Sequence, residues 1–125
     1  MSILIEVGPI PVFGDIERCK EQGVKLLEEA SECREAYENI RKEIEGYEKQ
    51  FGCQAQKLKP FPDSRTLGQL SFKFSMEMAD VLQVLINMAY TLYGDEAEFV
   101  FETAVENMIA KNNMRGRYAR EEKQG

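Results

Sequence analysis

Histidine is absent from the 125 residues. Without it no serine or cysteine can be activated by an imidazole base, and the Glu-x-x-His ligands of di-iron bundles cannot be assembled. The chemistry of this chain must therefore come chiefly from carboxylates, Lys, Arg, Tyr or a bound metal. Cysteine is scarce too: Cys19, Cys33 and Cys53 show neither close pairing nor zinc-type spacing. An odd count of thiols without an export signal predicts reduced, buried or half-buried side chains in the cytoplasm. The opening Met1-Ser2-Ile3-Leu4-Ile5-Glu6-Val7 lacks a basic segment and reads poorly as a signal peptide. No apolar run approaches the roughly 20 residues that a membrane-spanning helix needs. Internal repeats, low-complexity tracts and long alternating segments are missing as well, which argues against repeat and β architectures.

What the chain does have is acid. Its 22 acidic and 16 basic side chains leave a net charge of −6. The imbalance is uneven: residues 1–110 carry 20 acidic and 11 basic groups, −9, whereas residues 111–125 carry 5 basic and 2 acidic groups, +3. A body this acidic argues against binding nucleic-acid polymers or anionic membranes and suits a cation site. With 43% hydrophobic and 30% charged residues, the composition is that of one ordinary globular domain.

Gly8, Pro9, Pro11 and Gly14 predict an extended arm over residues 1–14. Asp15 can cap a first helix, with Glu17 in its first turn. Leu26, Ala30, Cys33, Tyr37, Ile40, Ile44, Tyr47 and Phe51 then recur in steps of three and four, a helical face that ends between Gly46 and Gly52. Pro60 and Pro62 interrupt the connector at residues 52–65, and Asp63 or Ser64 can cap a second helix running from about Leu67 to Tyr93. Gly94 supplies a stop, Asp95 with Glu98 a capping pair for a third helix, and Gly116 its end. The third helix shows an apolar face of Phe101, Ala104, Val105, Met108 and Ile109. Residues 117–125 form a polar tail after a domain spanning 15–116. The expected fold is all-α, an antiparallel bundle of long helices whose core a second copy of the chain completes.

Two groups of acids do not fit a plain core. The second helix is apolar around most of its wheel over residues 76–93 and should be largely buried, yet Glu77, Asp80, Gln83, Asn87 and Thr91 form one polar stripe. Carboxylates at i and i+3 there are costly unless a positive partner meets them. Glu29 and Glu32, beside Glu28 in Leu26-Leu27-Glu28-Glu29-Ala30-Ser31-Glu32, sit on the flank of the first stripe. If the two helices are antiparallel neighbours, four carboxylates converge. Oxygen ligands without His or Cys favour Mg²⁺, Mn²⁺ or Ca²⁺. Other readings stand beside this one. Glu-Glu-x-x-Glu is ordinary on a solvated face, and Gln83, Asn87 and Thr91 suit a bundle interior as well as a substrate. Lys111, Arg115 and Arg117 suit a helix C-terminus as well as triphosphate oxygens.

Leu-Leu-Glu-Glu-Ala-Ser-Glu, then Glu77-Met-Ala-Asp80-Val-Leu-Gln-Val-Leu, then Lys111-Asn112-Asn113 with Arg115 and Arg117 resemble, in that order, the motifs of the all-α NTP pyrophosphohydrolase superfamily, the MazG-type enzymes. The resemblance spans roughly residues 20–118; the connector is longer than that family's usual link. It implies Mg²⁺, or Mn²⁺ in its place, held by Glu29, Glu32, Glu77 and Asp80. Glu28 would orient water, with Glu29 also catalytic, and Asn87, Lys111, Asn112, Arg115 and Arg117 would contact substrate. The implied activity is hydrolysis of nucleoside or deoxynucleoside triphosphates to the monophosphate and pyrophosphate, by a homodimer or homotetramer. The alternatives are a phosphoribosyl-ATP pyrophosphohydrolase and a non-catalytic helical interaction module.

Overall fold

A computed structural model describes residues 4–119, and the described residues are helical or irregular, with no strand among them. The last six residues of the expected polar tail, 120–125, lie outside the described part, as do residues 1–3 of the arm. Three helices form in order: α1, Lys20–Phe51; α2, Arg65–Tyr93; and α3, Ala97–Met114. The chain divides into two compact units. One is the continuous stretch Arg18–Leu85; the other joins the segment up to Glu17 with the chain from Ile86 onward. No helix among the described residues is long and apolar enough to cross a membrane.

In the unit 18–85, α1 starts four residues later than Asp15 would set it. Gly14 and Asp15 form a turn, and Cys19, extended at φ −157° and ψ 165°, takes the N-cap position without a side-chain hydrogen bond. The far end follows the expected rule. Gly52 adopts the left-handed conformation at φ 64°, and the N–H groups of Gly52 and Cys53 both donate to Glu48 C=O, at 2.8 and 3.3 Å. A glycine lacks the Cβ that would penalise this closure.

The connector packs back on α1. Its short 3-10 turn, Ala55–Lys57, buries Ala55 completely. Gln56 Nε2 donates to Arg41 C=O at 2.8 Å, and Gln56 N–H donates to Glu48 Oε2 at 3.3 Å. Ser64, one of the two expected caps, starts α2 by accepting the Leu67 N–H on Oγ at 3.1 Å. Ile40, Ile44, Ala55 and Leu67 form the core of this unit, flanked by Tyr47, Phe61, Leu70 and Phe74. Complete burial of a leucine such as Leu67 stabilises a fold by roughly 2 kcal/mol.

The buried line of α1 is displaced from the apolar stripe. Glu29, Ala36, Ile40 and Ile44 are buried, whereas Ala30, Tyr37 and Phe51 are exposed. The covered face is set by what lies against it, so small Ala36 is covered while the larger Tyr37 reaches out to stack its ring 5.9 Å from Phe74.

The other unit contains the end of α2, a 3-10 turn at Gly94–Glu96 and α3. Phe13 N–H donates to Asn87 Oδ1 at 3.2 Å, which seats the N-terminal segment on α2. Gly94, at φ 57°, makes the expected break. The capping pair does not form: α3 begins at Ala97 with Glu96 at the cap position and no side-chain bond, because the 3-10 turn carries Asp95 past it. No residue of α3 is buried, and Val105, Met108 and Ile109 of its expected apolar face are exposed. Met76, Met78, Leu92 and Tyr93 of α2 are likewise exposed, so this helix is not enclosed around most of its circumference as its composition suggested. Three helices offer too little surface to surround it.

Candidate metal centre

α1 and α2 each carry one buried or half-buried glutamate into the unit 18–85. Glu29 falls on the covered line of α1 and is only 7% exposed. Glu77 on α2 is half-buried, and Asp80, one helical turn later, is exposed. One carboxylate oxygen from each of these three lies within 4.8 Å of the other two. The three come from positions that i and i+3 spacing puts on adjacent helical rows.

Each of the two glutamates has a lysine near one oxygen only. Lys25 Nζ pairs with Glu29 Oε1 at 2.8 Å, and Lys73 Nζ approaches Glu77 Oε1 at 3.8 Å. Both lysines stand four residues ahead of their acid, the less favourable order for a helical pair. Oε2 of Glu29 and Oε2 of Glu77 are buried and accept no hydrogen bond. A buried acceptor left in that condition costs roughly 1–3 kcal/mol, and more for a charged group. These are the two oxygens in the unit that call for a positive partner.

Glu32, the fourth expected ligand, is exposed and joins the group through a hydrogen bond with Glu77. That bond, with the negative charges of Glu29 and Glu77, raises its proton affinity above the ordinary carboxylate range. Lys25 holds its own proton more tightly than usual, chiefly through its bond to Glu29. Glu28 points out of the group and is exposed. The solvated-face reading of Glu28-Glu29-x-x-Glu32 thus holds for Glu28 and fails for Glu29.

The expected substrate residues belong to the unit that runs on from Ile86. Asn87 is buried at 3% exposure and receives the Phe13 N–H. Thr91 Oγ1 donates to Met88 C=O, a local helical bond. Lys111, Asn112, Arg115 and Arg117 belong to the same unit as Asn87. There the chain leaves α3 in a turn closed by Arg115 N–H to Lys111 C=O and Arg117 N–H to Asn112 C=O, with Gly116 at φ 67°. Cys33 is half-buried beside Glu32, and Cys19 and Cys53 are exposed rather than buried; all three thiols are free.

Lys25 and Lys73 escaped the reading of the sequence. Their signal was present in it, a lysine four residues before each inward glutamate, but that spacing is so common on exposed faces that only burial of the acid distinguishes it. No protein-family model, curated protein or solved structure matches the chain.

Proposed function

We propose that Glu29, Glu77 and Asp80, assisted by Glu32, bind Mg²⁺ and that the protein hydrolyses nucleoside triphosphates to the monophosphate and pyrophosphate. The observation that carries the cation site is the pair of buried, unsatisfied Oε2 atoms on Glu29 and Glu77 beside Asp80. The residues fit such an ion: all donors are hard oxygens, and one from each of Glu29, Glu77 and Asp80 lies within 4.8 Å of the other two. The choice of reaction rests on the resemblance of the two acidic motifs to those of MazG-type enzymes.

The helix pairing that this reading needs is antiparallel, as an all-α bundle would have it. Contacts that descend along α1, through Ile44, Tyr37 and Glu29, ascend along α2, through Leu67, Phe74 and Glu77. A bound Mg²⁺ would supply neutralisation of phosphate charge and orientation of a water molecule. Glu29 and Glu77 fix the inward oxygens on two separate helices, which holds them rigidly. Asp80 offers an oxygen at the solvent edge, where substrate enters. Glu32, with its raised proton affinity, is the carboxylate best suited to take up the proton of an attacking water.

We also propose that the chain pairs with a second copy. Support comes from α3, an 18-residue helix with no buried residue. Helices in proteins draw most of their stability from packing an apolar face rather than from propensity. Sedimentation of the purified chain at several concentrations tests this, with a single monomeric species as the contrary result.

The activity is tested by pyrophosphate release from a panel of NTPs and dNTPs, with phosphoribosyl-ATP alongside, in Mg²⁺. Release that drops at least ~100-fold in Glu77→Gln and Asp80→Asn supports the reading, since loss of one charge-stabilising group typically costs two to three orders of magnitude. Turnover of phosphoribosyl-ATP alone would move the substrate and keep the site. Folded protein that releases no pyrophosphate from any of them, in Mg²⁺ or Mn²⁺, would sink the enzyme.

A further inference from the structure

The acidic cluster has a basic counterpart built into the same two helices. Lys25 and Lys73 each reach an inward glutamate from one turn earlier, on α1 and α2 respectively. The carboxylates they meet have only 9% and 14% of the side chain exposed, whereas the lysine side chains are 57% and 66% exposed. Elsewhere on α1 the ion pairs are of another kind. Arg41 joins Glu38 and Glu45, and Lys49 joins Glu45, with both partners of every pair well exposed. Such pairs contribute little. A flexible ammonium anchored to a buried acid, with its tip in solvent, can instead change partners.

Charge balance says which partner. The four carboxylates carry −4 when ionised, and the two lysines reduce that to −2. A triphosphate brings about four further negative charges. A cation that takes over Glu29 and Glu77 removes the reason for either lysine to stay with its acid, and leaves both ammonium groups beside incoming phosphate oxygens. Lysine is well suited to this role, since it binds phosphate as a point charge on a mobile stem.

We propose that Lys25 and Lys73 are the phosphate-binding cations of this site, paired with Glu29 and Glu77 in the free protein and with triphosphate oxygens once nucleotide is bound. The inference rests on the cation site proposed above. It assigns phosphate contact to this unit's own lysines, ahead of Lys111, Arg115 and Arg117.

Two binding measurements without turnover separate the inference from its premise. Mn²⁺ affinity, read by electron paramagnetic resonance in the absence of nucleotide, reports the carboxylates alone. Affinity for a non-hydrolysable α,β-methylene triphosphate in Ca²⁺, read by calorimetry, reports phosphate contact. In Lys25→Met/Lys73→Met, which keeps the aliphatic stems, Mn²⁺ should bind as tightly as in wild type or tighter, because two repelling charges have gone. The analogue should bind at least tenfold more weakly, and Lys25→Arg/Lys73→Arg should recover most of that loss. Lys49→Met, which removes a cation paired with an exposed acid, should change neither value. Analogue affinity within twofold of wild type in the double methionine variant overturns the inference and leaves the cation site standing. Wild-type protein that binds no Mn²⁺ overturns both.

Discussion

The two ends of the unit 18–85 are built from the same helices and treat burial in opposite ways. At one end Ile40, Ile44, Ala55 and Leu67 close on one another, and the connector is tied down by Gln56. At the other, the same covered line of α1 places Glu29 where an aliphatic residue would be expected, and α2 answers with Glu77. The first end gains stability from every atom it hides. The second gives some of it up, because two hidden carboxylate oxygens accept no hydrogen bond. Fold and proposed chemistry are thus separated along the helix axes, so a change at one end need not disturb the other.

That separation can be broken or sharpened by mutation. The largest effect is expected at the apolar end. Leu67→Ala should cost about 2–5 kcal/mol in urea unfolding, as removal of a fully buried leucine does, and should leave Mn²⁺ affinity unchanged wherever the protein remains folded. Next comes Glu29→Met, an apolar replacement of similar size at the acidic end. Metal-free protein should gain about 1 kcal/mol, since a buried charge has been removed, and the rise in melting temperature on adding Mg²⁺ should vanish. A loss of stability in this variant would mean that the Lys25 pair outweighs the burial of the acid.

A smaller effect follows from Glu32. Its proton affinity is raised in the folded chain, so its contribution to stability is fully present below the ordinary glutamate range and is lost as pH rises through the folded-state value. Metal-free protein should therefore lose stability as pH climbs from acid toward neutral, and saturating Mg²⁺ should flatten that slope. Denaturation midpoints measured at several pH values, with chelator and with Mg²⁺, check it. The smallest effect belongs to the exposed ladder. Arg41 holds Glu38 below the ordinary range, a contribution present above that range and lost as pH falls. Both groups are solvated, and Arg41→Ala should leave the melting temperature unchanged within error.

Much of the architecture was legible in the sequence. Three- and four-residue spacing gave the long helices, and Ser64, Gly52 and Gly94 punctuate them as their chemistry requires. What the sequence could not give is which side of a helix is covered. An apolar count favours Ala30 and Tyr37, but the buried positions are Glu29 and Ala36, and this rotation moves Glu29 from the flank of the packing face into it. Caps were read less well, because Asp15 and Asp95 are spent in turns before α1 and α3 begin. Glu29, Glu77 and Asp80, singled out from their pattern, do come within 4.8 Å of one another. Glu32 was placed in the group too; it is exposed, and its proton affinity is raised by Glu77 and Glu29. The role of Asp80 was argued from burial that it does not have.

The hydrogen bond from Phe13 to Asn87 spans 74 positions of chain. The unit 18–85, by contrast, is one uninterrupted stretch of polypeptide. During synthesis, every residue of the apolar end is translated before α3 begins. The segment that precedes Arg18 is made earlier still, yet its partner on α2 arrives only after that stretch is finished. At roughly 5–20 residues per second, the wait between Phe13 and Asn87 lasts several seconds. The oldest described part of the chain is thus seated late, after the stretch translated behind it is already complete.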